Sequence, residues 1–183
     1  MTELLTIALM WIALPSAVPP PIEQTEANCD APVYASDSLI CADIELRDEE
    51  QRISHLSAAF DGPASAWLEP QSAWFKRRAM CAFQQRHRAC ILEANAERVA
   101  VLTAAMDSPP EEAPKIRCAG AGPIESLTLV RRGQWLFAYE GDRLEWAAGR
   151  TGRHWTPYTS WEPGRRWIIH KLDGGSLDCQ RES

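Results

Sequence analysis

The apolar positions of the chain follow two different periods. Between residues 37 and 106 they recur every three to four positions, which is typical of amphipathic helices. We expect three helices there, at about residues 38–60, 64–85 and 90–105. Beyond residue 115 the period is two, as in Trp135, Phe137 and Tyr139, and such alternation is typical of β-strands. The pattern therefore predicts a helical half followed by a β half.

A proline-rich segment separates the two halves. Residues 107–115 hold three prolines and three acidic residues but no large apolar side chain, which favours a linker. We therefore expect an α+β protein in two domains, a small disulfide-bonded helical hairpin or three-helix domain followed by a small antiparallel β-barrel. The predicted boundaries are residues 1–27 for a signal peptide and flexible lead, 28–106 for the helical domain, 107–115 for the linker and 116–183 for the β domain.

The first residues form an apolar run. It extends over residues 4–18 and is interrupted only by Thr6, Pro15 and Ser16. As a helix it would rise about 22 Å, less than the ~30 Å hydrocarbon core of a bilayer, so a signal peptide is a better interpretation than a membrane span. We expect export from the cell to the periplasm or the medium, with no stable membrane span after cleavage.

Six cysteines, an even number, favour an oxidising compartment. They contain neither a closely spaced ligand pair for zinc nor a redox Cys-x-x-Cys motif, so we expect no metal and no cofactor. Cys118 and Cys179 bracket the β half, and a disulfide between them would stabilise it by about 4 kcal/mol. For the other four the favoured local pairing is Cys29–Cys41 and Cys81–Cys90. A crossed pairing of these four is the alternative.

Composition and charge exclude several classes of protein. Apolar residues make up 45% and charged residues 24% of the chain, which excludes collagen-like, coiled-coil and wholly disordered proteins. The net charge of -6 disfavours nucleic acid as a partner. Most of that charge lies outside the β half, since residues 109–183 hold 10 acidic and 11 basic residues.

Helical spacing joins four residues of the first half. Gln71, Trp74, Arg78 and Cys81 follow at steps of three, four and three, which places them on one helix face. With their neighbours they resemble the N-terminal domain family of the LprI-type lysozyme inhibitors, small four-cysteine helical modules of the bacterial envelope. The matching segments, within about residues 28–105, are residues 37–46, 71–81 and 90–102. We interpret Gln71, Trp74 and Arg78, the family motif, as a brace between helices rather than a binding site.

Two segments of the β half carry a second resemblance. Thr151-Gly-Arg-His-Trp155 is followed by Tyr158-Thr-Ser-Trp161-Glu-Pro-Gly164 and by a final Cys179. Over about residues 115–181 the chain resembles the MliC family of C-type lysozyme inhibitors. The resemblance implies a small β-barrel closed by a disulfide, whose loop serine and motif lysine enter the lysozyme cleft. The binding-loop residues it implies are Thr151, Gly152, Arg153, Trp155, Tyr158, Trp161, Gly164 and Arg165.

The polar residues of that motif are partly replaced. Thr151 keeps the hydroxyl group, but Pro163 stands where the family has lysine. Arg153, Arg165 or Arg166 would have to supply the missing cation. Among the aromatic residues we expect Trp135, Trp146 and Trp167 in the core, whereas exposed rings of Trp155 and Trp161 would be binding features.

These patterns lead to one expected function and two alternatives. A lysozyme uses two carboxylates, so a hydroxyl and a cation on a rigid loop would bind them and occlude the cleft. We expect a lysozyme inhibitor without enzymatic activity, with a C-type lysozyme or another cell-envelope protein as its partner. The main alternative is an interaction or structural protein of the envelope that binds peptidoglycan or a periplasmic protein. A hydrolase using the acidic run Asp48-Glu49-Glu50 is the third class considered.

Overall fold

The computed structural model describes residues 24–60, 65–120, 126–162 and 166–182. Most of the predicted signal peptide lies outside these residues, and so do Pro163, Gly164 and Arg165 of the predicted binding loop. None of the helices within the described ranges has the length and apolar character that spanning a bilayer requires.

The first half of the described chain is helical. Its elements are the α-helices α1 (Ala35–Ala42), α2 (Ile44–Ala59), α3 (Gln71–Ala79) and α4 (His87–Met106), and a 3-10 helix at Met80–Phe83. Residues 38–60 are divided between α1 and α2 rather than forming one helix, because the Asp43 carboxylate accepts hydrogen bonds from the amides of Glu45 and Leu46 and starts α2. The helix predicted at residues 64–85 begins only after Pro70, since the residue before a proline disfavours helical backbone.

Three disulfides confirm the favoured cysteine pairing. They join Cys29 to Cys41, Cys81 to Cys90, and Cys118 to Cys179. The crossed alternative among the four cysteines of the helical half is therefore excluded. The core of that half is apolar and includes Ile40, Leu46, Ile53, Trp74, Phe75, Ile91 and Leu102.

Seven strands form one sheet in the second half. They are β1 (Lys115–Ala119), β2 (Ser126–Arg132), β3 (Trp135–Glu140), β4 (Arg143–Gly149), β5 (Thr159–Glu162), β6 (Trp167–Lys171) and β7 (Ser176–Arg181). Each strand pairs with the next and β1 pairs with β7, so the sheet closes on itself. The expected antiparallel pattern is interrupted at one place, where Gly149 of β4 meets Ser160 of β5 in parallel. Parallel neighbours need a crossover, and residues 150–158 provide it.

Strands β2–β4 are buried on both faces. In β3, Leu136 and Ala138 lie in the interior of the closed sheet, whereas Phe137 and Tyr139 face outward. Helix α4 covers this outer face, and its residue Ala104 lies in the same apolar cluster as Phe137 and Tyr139. The Tyr139 hydroxyl also donates a hydrogen bond to the Ala104 carbonyl at 3.0 Å. The α+β class is thus confirmed, whereas a division into two separately packed domains is not.

Trp67 joins the two halves at another point. It precedes α3 and forms an isolated bridge with Trp146 of β4, and its ring packs against the interior cluster of the sheet. Thr159 at the start of β5 donates a hydrogen bond to the Trp67 carbonyl at 3.1 Å. The prediction that Trp67 belongs to a helix is therefore wrong, because α3 begins only after Pro70 and Trp67 pairs with the sheet instead.

Candidate functional site

The crossover loop, residues 150–158, contains most of the predicted binding residues. Thr151, Gly152 and Arg153 are exposed, whereas Trp155 is only 7% exposed. The Gly152 amide donates to the Trp155 carbonyl at 3.0 Å, which closes a turn between them. We call the exposed part, residues 150–153, the tip. The tip is thus the free end of a loop whose base is buried.

Glu93 of helix α4 binds the backbone of this turn. Its Oε2 atom accepts hydrogen bonds from the amides of His154 and Trp155, both at 2.9 Å. A carboxylate that accepts two consecutive amides fixes the orientation of both peptide groups.

Glu97, one helical turn further, holds the Trp155 side chain and the end of the loop. Its carboxylate accepts hydrogen bonds from the Trp155 indole Nε1 and from the Tyr158 amide, the latter at 2.8 Å. Arg77 of α3 lies over the Trp155 ring, with its guanidinium carbon 4.0 Å from the ring centre. Arg77 also donates to the Thr156 carbonyl at 2.7 Å. Trp155 is therefore enclosed by the helical half.

Burial acts on the pKa values of Glu97 and Arg77, the two side chains that hold the end of the loop, and at Arg77 neighbouring charges oppose its effect. Loss of hydration raises the pKa of Glu97, although Arg77 and the Trp155 and Tyr158 donors all favour its ionised form. Burial also acts to lower the pKa of Arg77, but its hydrogen bond with Glu69 and the charges of Glu97 and Glu69 leave that pKa raised. Arg77 bridges the two carboxylates, 2.6 Å from Glu69 and 3.1 Å from Glu97. Arg77 is thus the main group that favours the ionised form of the buried Glu97 carboxyl group.

The tip carries two cations. Arg150 and Arg153 are both exposed, and within the described ranges neither side chain forms an ion pair or hydrogen bond. Arg166 is engaged elsewhere, 3.1 Å from Asp178. Of Arg153 and Arg166, the two described arginines considered as a replacement for the motif lysine, Arg153 is therefore the one in the tip with its charge available. Arg150 was missed by the sequence interpretation, and its position directly after β4 is the signal that could have found it.

Trp155 and Trp161 are not exposed binding rings, contrary to expectation. Trp161 is 7% exposed, lies in the interior cluster, and donates from Nε1 to the Gln134 carbonyl at 3.0 Å. Each indole N–H has a hydrogen-bond acceptor, Glu97 for Trp155 and the Gln134 carbonyl for Trp161, so burial of the ring leaves no donor unpaired. Trp135 lies against the core as expected, although it packs with the outer cluster under α4 rather than in the interior of the sheet. Trp146 and Trp167 do lie in or against the interior cluster.

Tyr158 closes the loop on its far side. Its hydroxyl donates to Asp173 in the β6–β7 turn at 3.0 Å. Burial and this hydrogen bond raise the pKa of Tyr158 to about 12, so the phenol stays protonated at neutral pH. Tyr158 therefore anchors the loop to the sheet and does not belong to the exposed tip.

The helical motif residues are engaged inside the helical half. Arg78 is 1% exposed and forms a buried ion pair with Glu50 of α2. Trp74 lies beneath that guanidinium, 4.5 Å from it, and donates to the Ala94 carbonyl at 3.3 Å. Gln71 donates to the Thr25 carbonyl at 2.9 Å and accepts from Arg98. These contacts brace α2, α3, α4 and the segment before α1 against one another.

The acidic run of α2 is not a free carboxylate pair. Glu50 is only 7% exposed and is bound to Arg78, and Glu49 accepts a hydrogen bond from Asn95 at 2.9 Å. Across the described ranges, no group of three or more His, Cys, Asp and Glu residues is arranged to hold a metal ion.

The sequence interpretation missed Glu93 and Glu97, the two carboxylates of α4 that hold the crossover loop. Glu93 and Glu97 are four residues apart on an otherwise apolar helix face, and such a pair could have indicated a polar contact across the interface. No family model, curated protein or solved structure matches this chain.

Proposed function

We propose that this is an exported bacterial protein that binds a C-type lysozyme and occludes its active-site cleft. The tip, residues 150–153, is the part that enters the cleft. The observation that carries the proposal is the composition and placement of the tip: the Thr151 hydroxyl and two arginine side chains without a counter-ion within the described ranges, on a loop whose base is buried.

The chemistry of the tip suits the active site of a glycosidase. Such enzymes place two carboxyl groups on either side of the scissile bond. The Arg153 guanidinium can donate two parallel hydrogen bonds to one carboxylate, and the Thr151 hydroxyl can donate to the other. Arg150 adds a second positive charge to the same end of the loop and would strengthen the attraction to an acidic cleft.

The way in which the loop is held also favours tight binding. Glu93, Glu97 and Arg77 fix its base before any partner arrives. A loop that is already ordered loses less conformational entropy on binding than a flexible one. Occlusion by a preformed loop is therefore the mode of inhibition that we propose.

Two further features agree with this function. The closed sheet, with the Cys118–Cys179 disulfide between β1 and β7, fits an inhibitor-type β-barrel. Three disulfides are typical of an oxidising extracellular compartment, where lysozymes act.

A lysis assay with the purified, oxidised protein tests the proposal. We expect stoichiometric inhibition of a C-type lysozyme, and at least tenfold weaker inhibition by Thr151→Ala and by Arg153→Ala, because each removes a hydrogen-bonding group aimed at a carboxylate. Arg52→Ala is the matched control, since Arg52 is an exposed arginine of α2 far along the chain from the tip. Full lysozyme activity at a large molar excess of the protein over C-, G- and I-type enzymes would overturn the proposal.

A further inference from the structure

The tip obtains its shape from the helical half and not from the sheet that carries it. We infer that Glu93 is a positioning residue for the tip, so that helix α4 serves as a scaffold for the binding loop rather than as a second binding module. One of the two measurements that test this inference is lysozyme inhibition, so the inference rests in that respect on the function proposed above.

The first step is the pattern of hydrogen bonds along the loop. Within the described ranges, the hydrogen bonds of residues 151–157 either stay inside the loop or go to the helical half. The helical partners are Glu93, Glu97 and Arg77. The sheet therefore fixes where the loop begins and ends, and the helical half fixes the conformation between these points.

The second step is the identity of residue 152. Its backbone is outside the left-handed region that demands glycine. A Cβ atom at this position would nevertheless overlap the Glu93 carboxylate, with the Trp155 carbonyl oxygen 3.0 Å away. A side chain at position 152 is thus disfavoured by the close approach of Glu93 and not by the backbone angle, because the Glu93 carboxylate would have to move away from the turn. The two residues form one fitted contact across the interface between the halves.

The third step is what this contact does to the exposed groups. The amides of His154 and Trp155 are bound to Glu93, and the Gly152 amide is bound to the Trp155 carbonyl. The peptide groups of the turn between Thr151 and Trp155 are therefore held in one orientation as long as Glu93 accepts these hydrogen bonds. Without the carboxylate, two amides lose their acceptor and the turn is free to open into solvent.

The test uses the full-length oxidised protein and two readouts. The first is hydrogen exchange of the His154 and Trp155 amides without any partner, with the Ala138 amide of the sheet interior as an internal reference. The second is inhibition of a C-type lysozyme. We expect Glu93→Ala to speed exchange at His154 and Trp155 about tenfold, to leave Ala138 unchanged, and to weaken inhibition by a similar factor, since two charge-assisted hydrogen bonds are lost.

Two further variants make the test specific. Gly152→Ala should weaken inhibition by itself, but it should add little to Glu93→Ala, because the overlap needs the carboxylate. Glu93→Gln keeps one acceptor oxygen and should retain part of the slow exchange. Glu112→Ala, an exposed glutamate of the linker, is the control and should change neither readout.

Each outcome decides the inference. Unchanged exchange at His154 and Trp155 in Glu93→Ala overturns it, whatever happens to inhibition. Faster exchange at Ala138 as well shows a general structural role and also overturns it, and so does full additivity of the Gly152 and Glu93 variants. If the wild-type protein inhibits no lysozyme, the proposed function fails, while selective exchange at the two amides still supports the positioning role of Glu93.

Discussion

Arg78 is among the three largest fully buried side chains of the described residues, and its charge is matched within the helical core. Glu50 supplies both carboxylate oxygens, and the Asn95 side-chain oxygen accepts a third hydrogen bond at 3.1 Å. The Glu50 carboxylate in turn accepts the Ala27 amide at 2.6 Å, which ties the segment before α1 to the same centre. A buried ion pair of this kind is costly to break, because removal of one partner leaves the other charge without compensation.

We expect Glu50→Ala to destabilise the protein by about 3–5 kcal/mol, since it leaves the Arg78 guanidinium buried without a counter-ion. Unfolding in urea followed by circular dichroism measures this change. The control is Arg117→Ala, which removes an arginine from the exposed pair Arg117–Glu182 and should have little effect. Equal effects of the two variants would show that the Arg78–Glu50 pair is not held as the structure has it.

Helix α4 is the element on which both halves of the fold depend. One part of its surface packs in the helical core through Cys90, Ile91 and Ala94, and another covers the outer face of the sheet through Ala104. Glu93 and Glu97 contact the crossover loop between these two regions. The 20-residue helix α4 thus covers a sheet face that is exposed to solvent in many antiparallel sheets.

This element also shows which features the sequence could predict. The helical period of α4, the two-residue period of the strands and the local cysteine pairs depend on neighbours along the chain, and all were predicted. The packing of α4 on Phe137 and Tyr139, the insertion of Trp67 and the burial of Trp155 depend on contacts between distant segments. A pattern of apolar positions says that a residue prefers burial, but it does not say which surface buries it. The same limit applies to the site. A local motif indicates Thr151 and Arg153, whereas the role of Glu93 depends on a contact between distant segments, which the sequence pattern does not reveal.

Protonation of Glu97 makes the stability of the α4 interface depend on pH. Burial raises the pKa of Glu97 in the folded protein above its ordinary value of 4.5, so between these two values the folded state binds more protons than the unfolded state. The contribution of Glu97 to the free energy of unfolding is therefore most favourable below about pH 4.5 and falls as the pH rises through the raised pKa.

A comparison of wild type with Glu97→Gln isolates this contribution, because glutamine does not titrate. We expect the wild-type free energy of unfolding to fall relative to that of the variant as the pH rises from 4.5, measured by urea unfolding at a series of pH values. Asp43 and Glu182 act in the opposite direction, since hydrogen bonds from Arg88 and Arg117 lower their pKa values, but they are common to both proteins. A difference that is constant with pH would contradict the raised pKa of Glu97.

At the scale of the whole molecule, the two halves share one set of buried surfaces. The outer faces of β2–β4 carry Val130, Phe137 and Tyr139, which α4 and its neighbours cover. Trp67 from the helical half packs against the interior of the sheet, and the crossover loop is bound to α4. Neither half can lose its structure without exposing a large apolar area of the other, and such exposure is unfavourable by about 25 cal/mol per Å².

We therefore expect the oxidised protein to unfold in one cooperative transition, despite its proline-rich linker and its change from helix to strand. Circular dichroism at 222 nm follows mainly the helices, and indole fluorescence adds a signal from the sheet, which holds four of the seven described tryptophans, Trp135, Trp146, Trp161 and Trp167. The two signals should change at the same urea concentration, and the calorimetric and van't Hoff enthalpies should agree. Trp67→Ala, which removes one of the shared contacts, should lower the midpoint of both signals together. Two separate midpoints in the wild-type protein would instead show that the interface of α4 with the sheet is too weak to couple the halves, and that each folds on its own.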